Sequence, residues 1–308
     1  MEKRNHHQVV CFGEVLWDIL PSGAVPGGAP MNVAYHLKKL GYEPALITKV
    51  GVDSPGQKLF DLMEQYTITT DYFQVDQQLP TGKVYASIRD NNEMEYDIVK
   101  PVAWDCIEWD ESFIELVENA EFFVFGSLAA RNKISKNTLF SLLEIAKKKV
   151  LDINLRAPHF NRRIVEDLLQ KADFIKMNIS ELELITGWFS NYTGTEDRMK
   201  SLAGKFKISD MVVTMGGDGS ILYMDGKIIR HPGFKITVAD TVGSGDAFLA
   251  GLISKLLGGA TPAEALEFAG GMGAFIATHT GACPEYDAAE ITELISSNHQ
   301  IIQQNIPS

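Results

Sequence analysis

The amino-acid sequence predicts an α/β fold: a largely parallel sheet covered by helices on both faces, with a small antiparallel sheet projecting from it. Two observations carry this. Short apolar runs of the fully buried strand type, "QVVCF", "PALITKV", "AEFFVFG", "KVLDIN", "ADFIKMN" and "DMVVTMG", alternate with stretches of helical spacing along most of the chain. That alternation is the pattern of parallel strands joined by crossover helices. Two segments break it. Residues 14–25, "EVLWDILPSGAV", continue the first strand without a helix, and residues 81–100, "TGKVYASIRDNNEMEYDIVK", alternate with period two around the turn "RDNNE", as antiparallel strands do.

In chain order, the first helix runs from Pro30 to Leu40 and is closed by Gly41, and a second begins after Asp53-Ser54-Pro55. Each of the last four buried strands is expected to lead into a helix. Further on, "FKITVA" (234–239) reads as a strand, and "DAFLAGLISKLLGG" as a helix that starts at the glycines 243–245 and stops at Gly258 and Gly259. With no Pro/Ser-rich linker, repeat or low-complexity tract, the expectation is a single domain over residues 1–308. Its site should lie at the C-terminal ends of the strands.

Composition narrows the function. Apolar residues make up 45% and charged residues 22% of the 308, a balance that buries a core and argues against disorder. A net charge of −12 argues against non-specific nucleic-acid binding. Three cysteines, Cys11, Cys106 and Cys283, have no CxxC spacing and leave one thiol over in any disulfide scheme, which points to a reducing compartment. The N-terminal apolar stretch is too short for a signal peptide and no run approaches a membrane span. The expected location is cytoplasmic, with no membrane partner.

The chemistry concentrates in "DTVGSGDAFLAGL", residues 240–252. The first turn of a helix leaves backbone N–H groups unpaired at the positive end of its dipole, and Gly243, Ser244 and Gly245 are small enough to let a phosphate approach them. Asp246 would repel that phosphate as a ligand but suits a base that takes the proton from an attacking hydroxyl. The alternative is an ordinary first-turn acid worth about 0.3–1 kcal/mol to the helix. Earlier, "VPGGAPMNVAYHLKKLG" sets Gly27 and Gly28 before a helix whose first turn holds Asn32. That amide both donates to and accepts from hydroxyls, which suits a sugar, although the same residues also serve as a plain helix start. "GVDSPGQKL" misses the Walker pattern and no GxGxxG follows a strand, so P-loop and dinucleotide enzymes are excluded.

Together these motifs resemble the PfkB, or ribokinase-like, family of carbohydrate kinases, and within it most closely the fructokinases. The resemblance spans nearly the whole chain through four motifs in order: "GEVLWDILPSG" with "VPGGAPMN", the NxxE element Asn178-Ile179-Ser180-Glu181, "VTMGGDGS", and Asp240 to Asp246. It implies a ribokinase-like three-layer α/β/α sandwich, with residues 14–25 and 81–100 forming a β lid over the sugar. It also implies transfer of the ATP γ-phosphoryl group to a sugar hydroxyl. Asp246 would be the base; Gly243, Ser244 and Gly245 the anion hole; Asp18, Gly27, Gly28 and Asn32 the sugar ligands. Asn178 and Glu181 would organise Mg2+ and phosphates, Glu181 through water. Thr214, Gly216 and Gly219 would line the nucleotide loop, and Asp240 would stand near a monovalent cation such as K+. Fructokinase-like members share the D-x-N-x-R run seen here as Asp152, Asn154 and Arg156. Its residues alternate, and Arg156 would either reach a ligand oxygen or pair with Asp152. D-Fructose is the substrate this implies, since ribokinases more often show an asparagine two residues before the aspartate and "GGKGAN" at the second site. Here those positions hold Leu16 and Ala29-Pro30. 2-Keto-3-deoxygluconate, ribose and nucleosides are the alternative substrates, and a sugar- or nucleotide-binding regulator without turnover is the alternative class. The exposed lid edges would suit a homodimer.

Overall fold

The computed structural model describes residues 7–21, 23–88 and 94–304. The chain opens with β1 (Val9–Phe12), leaves the main sheet through β2 (Leu16–Leu20) and β3 (Gly23–Gly27), and returns through α1 (Ala29–Lys39), β4 (Pro44–Gly51), α2 (Ser54–Gln65) and β5 (Phe73–Asp76). A second excursion forms β6 (Gly82–Ile88) and β7 (Met94–Ile98), followed by α3 (Ser112–Asn119). Strand–helix units follow: β8 (Phe122–Gly126) and α4 (Lys133–Leu143), β9 (Lys149–Asp152) and α5 (Arg162–Leu169), then β10 (Phe174–Asn178) with α6 (Ile179–Gly187) and α7 (Thr195–Phe206). β11 (Asp210–Thr214), β12 (Ser220–Met224), β13 (Lys227–His231), α8 (Ser244–Leu257), α9 (Pro262–Ala277) and α10 (Ala288–Gln304) complete the described chain.

The nine-stranded main sheet has the order β13-β12-β11-β10-β9-β8-β1-β4-β5 and is parallel from β11 to β5. The chain leaves β1 toward β4 and comes back on its other side as β8. The order therefore reverses between β1 and β8, and the crevice at their C-terminal ends is where such sheets bind ligands. The strands read as continuous apolar runs because both faces are covered. Val10 and Phe12 pack with Leu139, Leu168, Leu182 and Leu202, while Val9 and Cys11 pack with Val33, Leu59, Leu249 and Leu266.

Three expectations change here. β11 does not lead into a helix: Gly216–Asp218 form one 3-10 turn and the chain returns antiparallel as β12 and β13. Asp225 and Gly226, both at positive φ, make the two-residue turn between them, the geometry that matches strand twist in a tight hairpin. "FKITVA" joins no sheet, because its backbone bonds go elsewhere: Lys235 N–H donates to Asn298 Oδ1 and Ala239 N–H to the Ala277 carbonyl. β5 was not anticipated at all.

The small sheet, ordered β3-β2-β6-β7, consists of two antiparallel hairpins joined through a parallel β2/β6 pair. The turn "RDNNE" lies outside the described residues. Leu16, Val84, Ile98, Val102, Trp104 and Leu128 pack together under this sheet. A Cβ at Gly82 would stand 2.5 Å from Trp104 Nε1, so the absent side chain lets the sheet settle on the indole.

Candidate active site

Helix α8 begins at Gly243, which is held at φ 76, and no side chain caps its first turn. Ser244 N–H closes a weak turn onto the Thr241 carbonyl at 3.3 Å, so Gly245 and Asp246 supply the freest amides of the expected anion hole. Asp246 is buried at 9% exposure. Asn32 Nδ2 donates to its Oδ2 at 2.7 Å, and Cys283 Sγ donates to the other end of the same amide, Asn32 Oδ1, at 3.3 Å. Asn32 thus links the candidate base to Cys283. Burial pushes the Asp246 carboxyl up to about 6; Lys176 opposes the rise, Asp152 adds to it, and Asn32 and Arg156 oppose it. A carboxylate at that position is ionised at neutral pH and basic enough to accept a proton.

Asp18 stands on β2, half-buried, with burial raising its carboxyl to about 6 against the field of Arg156. A side chain at Gly27 would strike the Asp18 carboxylate, and one at Gly28 (φ 116) would strike the Glu14 carbonyl. Both glycines therefore exist for close approach. Arg156 is exposed, and its charge acts on both Asp18 and Asp246. The alternation expected for Asp152, Asn154 and Arg156 fails, because β9 ends at Asp152 and Asn154 adopts φ 38. The alternative pairing of Arg156 with Asp152 is also replaced: Asp152 binds Lys176 instead.

Asn178 and Glu181 form a capping box at the start of α6. Asn178 accepts from the Glu181 N–H and Glu181 Oε2 accepts from the Asn178 N–H, both at 2.9 Å. Glu181 Oε1 accepts from Leu155 N–H at 2.8 Å, and burial raises the carboxyl. With each oxygen already bonded once, Glu181 fits an ion that keeps most of its water. Among the described residues no cluster of three or more His, Cys, Asp or Glu could cage a metal. Thr214 stands in register with Asn178 at the end of the neighbouring strand. The glycines expected to line the nucleotide follow, Gly216 at φ 59 and Gly219 at φ 86. A side chain at Gly219 would strike the His231 carbonyl. Asp240 accepts from the Val242 and Gly281 N–H groups, each at 3.1 Å, so it ties the α8 turn to the loop before α10.

The candidate residues thus lie at the C-terminal ends of the main-sheet strands, in the first turns of α1, α6 and α8, and on the small sheet. The chain matches the pfkB family carbohydrate kinases over residues 22–289. It belongs to that family. Among curated relatives of this carbohydrate kinase, a probable fructokinase-7 of Arabidopsis thaliana is 30% identical over 94% of this chain and 92% of its own. Fructokinase-1 of Zea mays is 28% identical, covering 93% and 97%. Two solved structures share the fold. The fructokinase of Xylella fastidiosa with bound ATP has a TM-score of 0.84 at 21% identity, covering 94% and 98%. The fructokinase of Vibrio cholerae with fructose, ADP and calcium has a TM-score of 0.82 at 24% identity, covering 94% and 99%. No helix among the described residues is long and apolar enough to cross a membrane.

Three groups of this carbohydrate kinase escaped the sequence reading. Glu14 follows β1 at the switch point, buried at 3%, with Oε2 unpartnered among the described residues. Burial lifts its carboxyl to about 7, opposed by N–H groups and Arg131 and reinforced by Asp246. Cys283 sits against Asn32, and burial pushes its thiol up, so it stays protonated. Lys176, in the middle of β10, pairs with Asp152 beside Gly245. The signal for it was in plain sight: a lysine inside an otherwise apolar parallel strand.

Proposed function

We propose that this carbohydrate kinase transfers the γ-phosphoryl group of ATP to a hydroxyl of D-fructose. The observation that carries the reading is the buried Asp246, held by Asn32 in the uncapped first turn of α8. The choice of fructose rests on relatives named fructokinases and on a fold neighbour holding fructose and ADP. The chain acts as one kinase domain in the cytoplasm, where its three free thiols persist, and the edges of its small sheet are the place for a homodimer to form.

Asp18, Asn32 and the close-approach glycines hold the sugar with its reacting hydroxyl on Asp246. Asp246 takes the hydroxyl proton as the oxygen forms its bond to the γ-phosphorus, and the bond from that phosphorus to the bridging oxygen breaks to release ADP. The amides of Gly245 and Asp246 stabilise the charge on the transferring group, where phosphoryl transfer needs it most. Asn178 and Glu181 would hold Mg2+ through water, and the ion would neutralise phosphate charge. Thr214, Gly216 and Gly219 line the nucleotide, and Asp240 marks the site for K+.

A coupled assay of ADP release over a sugar panel tests the assignment. kcat/KM is expected to be higher for D-fructose than for ribose or adenosine; equal or better turnover of either competitor overturns it, and no sugar-dependent ADP release would favour a non-catalytic binder. The small sheet closes over the sugar and excludes water, the competing acceptor. Backbone hydrogen exchange in Gly82–Ile88 should therefore slow when saturating fructose is added, and unchanged exchange would remove the lid role.

A further inference from the structure

A lysine at the centre of a parallel sheet is costly, and an apolar residue at such a position is often neutral or stabilising. Lys176 nonetheless stands between Ile175 and Met177, which pack into the core on the α4–α7 side. Phe174 packs on the opposite side, against α8. By strand alternation Lys176 shares the face of Phe174. Its ammonium donates to both oxygens of the buried Asp152, at 3.0 and 2.9 Å, and lies 2.8 Å from where a Cβ on Gly245 would stand. Asp152 ends the neighbouring strand and stands in register with Lys176 at the middle of β10, so two adjacent strands deliver one ion pair beneath the first turn of α8. The pair is positioned against the backbone that leads into Asp246.

We infer that the Asp152–Lys176 ion pair is a positioning device for the base: Lys176, anchored by Asp152, supplies the local positive charge that keeps Asp246 ionised beside the incoming phosphoryl group. The inference rests on the proposed role of Asp246. Other charged and titratable groups face that carboxylate: Glu14 from the loop after β1, Arg156 from the loop after β9, and Cys283 from the loop before α10; Asn32 of α1 bonds it directly. Lys176 is the strongest of those that lower its pKa, and Asp152 works in the opposite direction.

Opposite signs give the test. The acid limb of the kcat/KM profile with fructose is measured for the wild type, K176M, D152N and the double variant D152N/K176M. K176M should move the limb to higher pH by about one unit, the usual size for removing a nearby opposite charge. D152N should move it lower, because the lysine then acts without its counter-charge. The double variant leaves no uncompensated charge and keeps the question open to measurement if K176M does not fold. It should move the limb upward by less than K176M, since the effect of Lys176 exceeds that of Asp152. A merely structural pair would lower stability and leave every limb in place. Limbs that stay put, or that move together in D152N and the lysine variants, overturn the inference. Failure of the underlying reading looks different: the wild type would then show no fructose-dependent turnover from which to draw a limb.

Discussion

Asp246→Asn is expected to lower kcat by about 10²–10⁴, the range for loss of a positioned general base, with ATP and fructose still bound. Asparagine is nearly isosteric with aspartate, but it cannot take the hydroxyl proton. Asn32 Nδ2 now donates to Asp246 Oδ2, and it can donate equally to an asparagine carbonyl oxygen, so the geometry of the first turn survives. A residue that served only as a first-turn acid would cost at most about 1 kcal/mol and leave turnover nearly intact. The two outcomes are far enough apart to be decided with a folded variant, steady-state kinetics and a binding titration. A variant retaining more than roughly a tenth of wild-type kcat excludes the base role. The wild-type profile should agree: because burial pushes the Asp246 carboxyl up to about 6, kcat/KM should fall as pH drops through that region and the base becomes protonated. In Asp246→Asn the limb belonging to this group should disappear.

Much of this was legible in the sequence for physical reasons that can be named residue by residue. Parallel strands buried on both faces must be apolar at every position, which is why "ADFIKMN" and "DMVVTMG" announced themselves. The same rule marks Lys176 as the exception in its strand, but its partner Asp152 lies on another strand, 24 residues away, so the pair itself was not legible. Alternation misled in "FKITVA", because an apolar/polar pattern specifies a face and says nothing about whether a ladder partner exists. The hairpin β12–β13 carried its own signal, Asp225-Gly226, whose left-handed turn outweighs the expectation that every parallel strand leads into a helix. In "LDINLR" a left-handed Asn154 ends the alternation, and no spacing rule reveals that. The NxxE element carries two meanings at once. As a capping box it satisfies the α6 terminus by itself, so its local chemistry gives no hint of phosphate, and only its place beside Thr214 suggests a ligand.

Gly243→Ala should be the second severe substitution, for a different reason. Gly243 is held at φ 76, where a side chain costs about 1–2 kcal/mol from backbone contact alone. A Cβ there would also lie 2.5 Å from both Cα and Cβ of Ala282 and 3.0 Å from its carbonyl oxygen. Ala282 is fixed in turn, since its carbonyl is bonded at 2.9 Å by the buried His36, whose other ring nitrogen meets Tyr286 Oη at 2.9 Å. The neighbour cannot retreat, so the α8 turn must shift and carry the amides of Gly245 and Asp246 with it. Misplacing such donors costs about 10²–10³ in kcat, as removal of one oxyanion donor does. Backbone strain by itself can be measured at Gly226, which has a similar φ of 74 and nothing within 4 Å of its missing Cβ. Gly226→Ala should lose stability without losing kcat, whereas Gly243→Ala should lose both. Equal kcat in the two variants would mean that the first turn of α8 does not hold the transferring phosphoryl group.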